Sequence, residues 1–127
     1  MQTGGTLLGS APSGIPGMNV EVMPTTRAAV VVPDGDLNAA SGAELKRTLE
    51  DLLAKGNTRL VVDMERVVYV DSVVWGELAT AATRARGAGG ELRICAMCGE
   101  LIEILRMIRL SALIAVFPTR QLAMVFG

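Results

Sequence analysis

Histidine is absent from this chain of 127 residues, cysteine occurs only twice, and aromatic residues make up 3%. The lack of histidine removes the usual general base of enzymes and the commonest protein ligand of zinc. The sequence also has no glycine-rich phosphate loop and no Ser-His-Asp set. We therefore expect no catalytic activity and no cofactor.

Charge of one sign is not in excess, since 12 basic residues stand against 13 acidic ones and the net charge is −1. Nucleic acids and anionic membranes select proteins with a basic surface, so neither is expected as a partner. No apolar run approaches the roughly 18 residues that cross a bilayer, so we expect no membrane insertion. Hydrophobic residues nevertheless make up 50% of the chain. This surplus indicates contact with protein partners, among them a second copy of the chain in a homodimer.

The start of the chain is rich in glycine, serine, threonine and proline and lacks the basic and apolar segments of a secretion signal. We interpret residues 1–18 as a flexible tail and residues 19–127 as one folded domain. The location expected for such a protein is the cytoplasm.

The rest of the chain alternates between short apolar runs and amphipathic stretches. Strand patterns occupy residues 19–23, 27–32, 59–64, 91–96 and 113–117, with 67–70 as a further extended segment. Helix patterns lie between 41 and 56, at about 73–86, from about 99 onward, and briefly within 119–126. This order predicts a single α/β domain. Its mixed sheet has about four to five strands, mostly parallel in the centre, with helices mainly on one face.

The first helix has a start signal of its own. Ser41 and Glu44 have the spacing of a capping box, in which two side chains satisfy free amides of the first turn. We therefore expect Ser41 to cap this helix.

The stretch VVYVDSVVWGEL, residues 67–78, joins an extended segment to the second helix. In open α/β sheets, functional residues gather at this position, the carboxyl end of a strand. Ser72 is either the N-cap of the helix or the acceptor of a phosphate, which the free amides of a helix N-terminus stabilise. A phosphate there would lie next to Asp71 and would repel a docked partner.

Three segments together resemble the STAS domain of bacterial anti-sigma factor antagonists: AAVVVPDGDLNAASGAELKRTLEDLL, TRLVVDMERVVYVDS and RARGAGGELRIC. The likeness extends over about residues 20–126. Its motifs are Gly35-Asp36-Leu37-Asn38, the segments 63–67 and 71–76, and Gly89-Gly90-Glu91-Leu92. The resemblance implies a STAS fold and a regulatory protein that is not an enzyme.

By position, the resemblance implies that an ATP-dependent anti-sigma factor kinase of the GHKL type phosphorylates Ser72 and that a PP2C-type phosphatase removes the phosphate. The unphosphorylated protein would bind the anti-sigma factor and thereby free the sigma factor. The implied partner-binding residues are Asp36, Asn38, Asp71, Val73, Val74, Trp75 and Glu77.

The sequence departs from the family pattern at three of these positions. Val73 and Val74 stand where the family has a small residue and a glycine, and Asn38 stands where it usually has aspartate. The two valines favour an alternative function. In it, the chain is an unphosphorylated structural STAS subunit of a sensory scaffold or of a lipid-transport ATPase complex.

Two further features each have a structural and a functional interpretation. Cys95 and Cys98 form a CxxC sequence, which serves in redox disulfides and as half of a zinc site, here one shared between molecules. However, Cys95 lies in the apolar alternation of a strand and is expected to face the core. Trp75 is either packed in the core or exposed as an anchor for a partner.

Overall fold

The computed structural model describes residues 18–23 and 28–126, whose strands form one sheet. The strands follow one another in chain order across it: β1 (Met18–Met23), β2 (Ala28–Pro33), β3 (Arg59–Asp63), β4 (Glu91–Cys95) and β5 (Ala115–Phe117). β1 is antiparallel to β2, and every later pair is parallel. The predicted mixed sheet with a parallel centre is confirmed.

The predicted tail lies almost wholly outside the described residues, which begin at Met18. Met18 itself is the first residue of β1, so this strand starts one residue earlier than its pattern predicts. The alternation of apolar and polar residues becomes clear only from Asn19 onward, so the sequence pattern does not include Met18.

Helices join the parallel strands, because a parallel connection must cross back over the sheet. α1 (Ala39–Ala54) joins β2 to β3, and α2 (Ser72–Gly87) joins β3 to β4. α3 (Gly99–Met107) and a 3₁₀ turn (Leu110–Ala112) join β4 to β5. The short α4 (Arg120–Ala123) follows β5 and agrees with the brief terminal helix that the sequence predicts.

Both faces of the sheet are covered, but by unequal layers. α1, α2 and α3 pack on one face, where apolar side chains of β1 to β4 and of these helices form the main core. The opposite face carries a small cluster of four fully buried residues: Val30, Val61, Cys95 and Ala123. The helices therefore lie mainly on one face, as predicted.

Two arginines fasten the C-terminal segment to the thinner face. Nη2 of Arg120, in α4, lies 2.9 Å from the carboxylate of Asp63, which is buried at the end of β3. Arg93, in β4, donates to the carbonyl oxygens of Ala123 and Val125 at 3.1 and 2.6 Å. Charge-assisted hydrogen bonds of this kind are the stronger ones in proteins, so a helix of one turn can be held in place.

The last strand begins at Ala115, two residues later than predicted. The amides of Leu113 and Ile114 donate to the carbonyl oxygen of Leu110, both at 2.9 Å. These amides continue the 3₁₀ turn and are therefore not free to pair with β4.

Candidate functional site

Two loops meet at the carboxyl edge of the sheet, one after β2 and one after β3. Leu37 and Val70 form an isolated parallel bridge between them. The amide of Leu37 donates to the carbonyl of Tyr69 at 2.9 Å, and the amide of Asp71 donates to the carbonyl of Leu37 at 2.8 Å. This bridge places the starts of α1 and α2 side by side.

The carboxylate of Asp36 strengthens the same junction. Its Oδ1 accepts hydrogen bonds from the amides of Val68 and Tyr69, at 3.1 and 3.2 Å. The extended segment 67–70 is therefore held by a side chain as well as by the bridge. Asp36 is itself exposed.

Asn38, and not Ser41, is the N-cap of α1. Its Oδ1 accepts from the amide of Ser41 at 2.9 Å, while the Asn38 amide donates to the hydroxyl of Ser41 at 2.9 Å. That hydroxyl in turn donates to the carbonyl of Asp36 at 2.9 Å. The predicted capping box of Ser41 and Glu44 is wrong by one turn: Ser41 is its third position, and Glu44 pairs with Arg47 at 2.9 Å.

Asp71, and not Ser72, is the N-cap of α2. Its Oδ1 accepts from the amide of Val73 at 3.0 Å, which satisfies one of the free donors of the helix start. The cap falls on Asp71 because the bridge to Leu37 holds this residue extended, with φ −67° and ψ 151°. The interpretation of Ser72 as the capping residue is therefore wrong.

Ser72 is the first residue of α2, and it is exposed. Its hydroxyl lies 3.5 Å from Oδ1 of Asp71, which is at the long limit of a hydrogen bond. The Ser72 hydroxyl thus stands at the surface, next to a carboxylate and at the positive end of a helix.

The residues after Ser72 divide between surface and core. Val73 is 58% exposed, whereas Val74 and Trp75 are 0% and 6% exposed. Of its two interpretations, Trp75 is therefore packed in the core and is not an exposed anchor. Val74 and Trp75 face the core of this chain and pack beneath the exposed residues. This burial differs from the direct partner contact that the resemblance implies for them. Their position on α2, one and two residues after Val73, turns them toward the sheet.

Gly42 of α1 makes room for the bulk of Val74. A Cβ atom on Gly42 would lie 2.3 Å from Cγ2 of Val74, so only glycine fits between the two helices here. Val74, which stands where the resemblance implies a glycine, is thus matched by a glycine on α1. The sequence interpretation passed over Gly42, although a glycine inside a helix costs about 1 kcal/mol and indicates close packing.

Large apolar side chains are exposed on either side of Ser72 along the chain. Val68 and Tyr69 are 66% and 52% exposed, and Val73 adds 58%. Their backbone amides donate hydrogen bonds to the carboxylates of Asp36 and Asp71, which fix the backbone beneath the exposed side chains. Ordered apolar side chains around a polar centre are typical of protein interaction sites.

Cys95 and Cys98 contact different apolar clusters. Cys95 is fully buried with Val30, Val61 and Ala123, while Cys98 packs against the main core beneath the helices. Burial, reinforced by the nearby carboxylate of Asp63, raises the pKa of the Cys95 thiol to about 11. The predicted burial of Cys95 is confirmed. A thiol that is buried and protonated is a poor nucleophile and metal ligand, which disfavours the redox and metal interpretations.

These features define an α/β domain that presents an exposed serine at the carboxyl edge of a largely parallel sheet. A sequence model of the STAS domain matches residues 19–123, and the chain belongs to the STAS domain family. None of the helices in the ranges described above has the length and the apolar content to span a bilayer.

Relatives and solved structures agree with this assignment. "Putative anti-sigma factor antagonist BtrV" of Bordetella bronchiseptica is 27% identical over 84 residues, which cover 66% of this chain and 70% of that protein. A "putative anti-sigma factor antagonist" of Thermotoga maritima superposes with a TM-score of 0.77 at 18% identity, over 84% of this chain and 91% of the other. The phosphorylated form of the Bacillus cell fate determinant SpoIIAA gives 0.67 at 16% identity, over 84% and 95%. At these identities the solved structures establish a shared fold.

Proposed function

We propose that this STAS domain is an anti-sigma factor antagonist, a non-enzymatic regulatory protein that is switched by phosphorylation of Ser72. The observation that carries the proposal is the exposed hydroxyl of Ser72 at the start of α2, where Asp71 already supplies the helix cap. The name of the Bordetella relative supports the same function.

In this function the unphosphorylated surface around Ser72 binds an anti-sigma factor that is also a serine kinase. The kinase transfers the γ-phosphoryl group of ATP to the hydroxyl oxygen of Ser72, with loss of the hydroxyl proton and release of ADP. A phosphatase later hydrolyses the phosphoserine with water and restores the hydroxyl. The antagonist itself supplies the acceptor and the docking surface.

Phosphorylation changes the charge of this surface without requiring a new fold. A phosphoserine adds about 1.5 to 2 negative charges at neutral pH. The amides at the start of α2 tolerate an anion there, but the carboxylate of Asp71 lies beside it. Together the phosphate and this carboxylate would present a dense negative charge to a docked partner. The expected result is release of the partner by repulsion.

The test is a binding titration against the anti-sigma factor kinase encoded nearest to this chain. Ser72→Asp places a negative charge at the site and should weaken binding about tenfold or more, whereas Ser72→Ala should leave it within about twofold. Ser111 lies exposed in the 3₁₀ turn before β5, at the opposite end of the sheet, so Ser111→Asp is a matched control. Equal binding by Ser72→Asp and Ser111→Asp would contradict the proposal.

A second candidate function is an unphosphorylated structural subunit of a sensory scaffold or of a lipid-transport ATPase complex. The exposed side chains of Val68, Tyr69 and Val73 favour it, because a permanent interface is typically apolar. Co-purification with a large scaffold or a transport ATPase, together with normal assembly of Ser72→Asp, would support this function over the first.

A further inference from the structure

An apolar stripe is exposed along α3, the helix that follows β4. Its residues are Ile104, Met107 and Ile108, which are 38%, 77% and 46% exposed. They have the spacing i, i+3 and i+4, so they lie next to one another on one side of the helix. Leu101 and Leu105 are buried and turn another side of the helix to the core. α3 is therefore apolar on two sides, one facing the core and one facing the surface.

The α3 stripe is separate from the surface around Ser72. The chain enters α3 at the carboxyl edge of the sheet, directly after β4, and Met107 and Ile108 come at the other end, next to the 3₁₀ turn before β5. The stripe contains no residue of α2 or of the segment 67–70. An occupant of the stripe is therefore distinct from the partner that docks at the proposed switch.

Opposite charges lie at the two ends of α3. Glu100 is in its first turn, and Arg109 directly follows its C-cap. Both are exposed, and neither forms an ion pair within residues 18–23 and 28–126. Between them, Glu103 and Arg106 pair with each other at 3.0 Å, again with the acidic residue first. The exposed surface of α3 is thus acidic at its start and basic at its end.

Arg109 occupies a position where glycine is usual. Its φ of 65° and ψ of 25° are left-handed, a conformation in which a side chain is strained. Among the described residues other than glycine, it shares a positive φ with Ala96 alone. An acidic start and a basic end also suit the helix dipole. The dipole does not require arginine at the strained position, however, because Arg106 already supplies a cation in the last turn.

We propose that the α3 stripe binds the same stripe of a second copy of this chain, with the two helices antiparallel about a twofold axis. Such a contact needs a surface that complements itself. In the antiparallel arrangement the two stripes pack on each other, and Glu100 of each copy lies at the end of the contact where the other copy has Arg109. A parallel arrangement would instead bring like charges together. The inference does not rest on the proposed function.

The expected dimer is weak. Nine residues of helix are about 13 Å long, so the contact is short. It buries less than the roughly 1,200 Å² that is typical of stable complexes, and we expect a dissociation constant on the order of 10–100 μM. Because the ion pairs lie at the exposed ends of the contact, added salt should weaken the dimer.

Sedimentation equilibrium of the full chain, at concentrations on both sides of this range, measures the dimer. Glu100→Arg makes both ends of the α3 surface basic, and Arg109→Glu makes both ends acidic. Each variant alone should therefore dissociate about tenfold more readily or beyond. An equimolar mixture of the two variants should form a heterodimer, because every basic end then meets an acidic one. Recovery in the mixture also shows that both variants are folded.

Arg109→Gly separates the contact between copies from an effect on the helix alone. Glycine relieves the strained backbone, so the thermal unfolding midpoint of the dilute monomer should stay unchanged or rise. The dimer should nevertheless weaken about tenfold. Arg47→Glu is the matched control, because Arg47 is an exposed arginine of α1, outside the α3 surface, and its reversal should leave the dimer unchanged.

Three results would overturn the proposal. The first is a wild-type chain that stays monomeric at every concentration. The second is a dimer that Glu100→Arg and Arg109→Glu weaken no more than Arg47→Glu does. The third is dissociation of both variants without recovery in their mixture, since antiparallel pairing requires that recovery.

Discussion

Two helices of this domain begin at the same edge of the sheet, and each has a serine at its start. At the start of α1, the hydroxyl of Ser41 accepts from the Asn38 amide and donates to the carbonyl of Asp36, both at 2.9 Å. At the start of α2, the hydroxyl of Ser72 has a single contact within the described part of the chain, at 3.5 Å from Asp71. Ser41 is therefore committed to the fold, whereas Ser72 is available to another molecule.

The difference arises from which residue supplies the cap. Asn38 needs Ser41 as the reciprocal partner of its capping box, so that serine is built into the helix start. Asp71 caps α2 alone, through the amide of Val73. A serine in the first turn becomes a candidate switch only where the helix cap does not use its hydroxyl.

The largest effect is expected where the two helices touch. In Gly42→Ala the new methyl group would overlap Val74, which is fully buried and cannot move aside. We expect the free energy of unfolding to fall by about 1–3 kcal/mol, although alanine is the better helix former. Denaturant titration measures this.

The matched control for this change is Gly76→Ala in α2, where a Cβ atom meets nothing within 4 Å. It should raise stability by up to about 1 kcal/mol, the usual advantage of alanine over glycine in a helix. Val74→Ala should recover part of the loss in the Gly42→Ala background, because it removes the overlapping methyl group. Equal stability of the two glycine variants would show that the helices are not in close contact at Gly42.

A smaller effect should separate the two serines directly. Ser41→Ala removes the hydroxyl that accepts from the Asn38 amide in the capping box and donates to the carbonyl of Asp36, and it should lower the free energy of unfolding by about 1 kcal/mol. Ser72→Ala removes one long contact at the surface and should stay within about 0.5 kcal/mol of the wild type. Urea unfolding of both variants gives the comparison, and equal losses would contradict the open state of Ser72.

The two cysteines also differ in how far the fold encloses them, and this difference has the smallest expected effect on stability. Cys95 is buried with a raised pKa, so at neutral pH its thiol stays protonated and should react with iodoacetamide only after unfolding. Cys98 is partly exposed and should react first. Mass spectrometry of the native protein measures both rates.

The same raised pKa predicts how stability depends on pH. The contribution of the protonated Cys95 thiol is fully present below its ordinary pKa of 9.0 and is lost as the pH rises toward about 11. Cys95→Ala should therefore unfold with a weaker pH dependence in this range. In the alkylation experiment, rapid modification of Cys95 in the native protein at neutral pH would contradict the expected protection. It would show that the thinner face of the sheet opens readily.

The sequence predicted those features that depend on local periodicity. The alternation of strands and helices indicated the parallel centre, and the position of Ser72 followed from its place after an extended segment. The caps could not be assigned in the same way, because Asn38, Ser41, Asp71 and Ser72 are all residue types that cap helices. The bridge between Leu37 and Val70 decides among them, and it joins residues far apart in the chain.

The fit of Val74 is a second feature that local patterns do not contain. Val74 appears in the sequence only as a departure from the family pattern, and the space for it comes from Gly42 on another helix. The burial of Oε1 of Glu77, which has no hydrogen-bond partner among the residues that the structure describes, likewise depends on how α1 and α2 pack. Both follow from tertiary contacts and not from residue spacing.

The most direct test of the account is to map phosphate after incubation of the protein with ATP and the anti-sigma factor kinase encoded nearest to it. We predict one phosphate, on Ser72, and none on Ser41, whose hydroxyl is held in the capping box. The Ser72→Ala variant should remain unmodified. Phosphate on another residue, or unmodified Ser72 in a chain that binds the kinase normally, would contradict the switch.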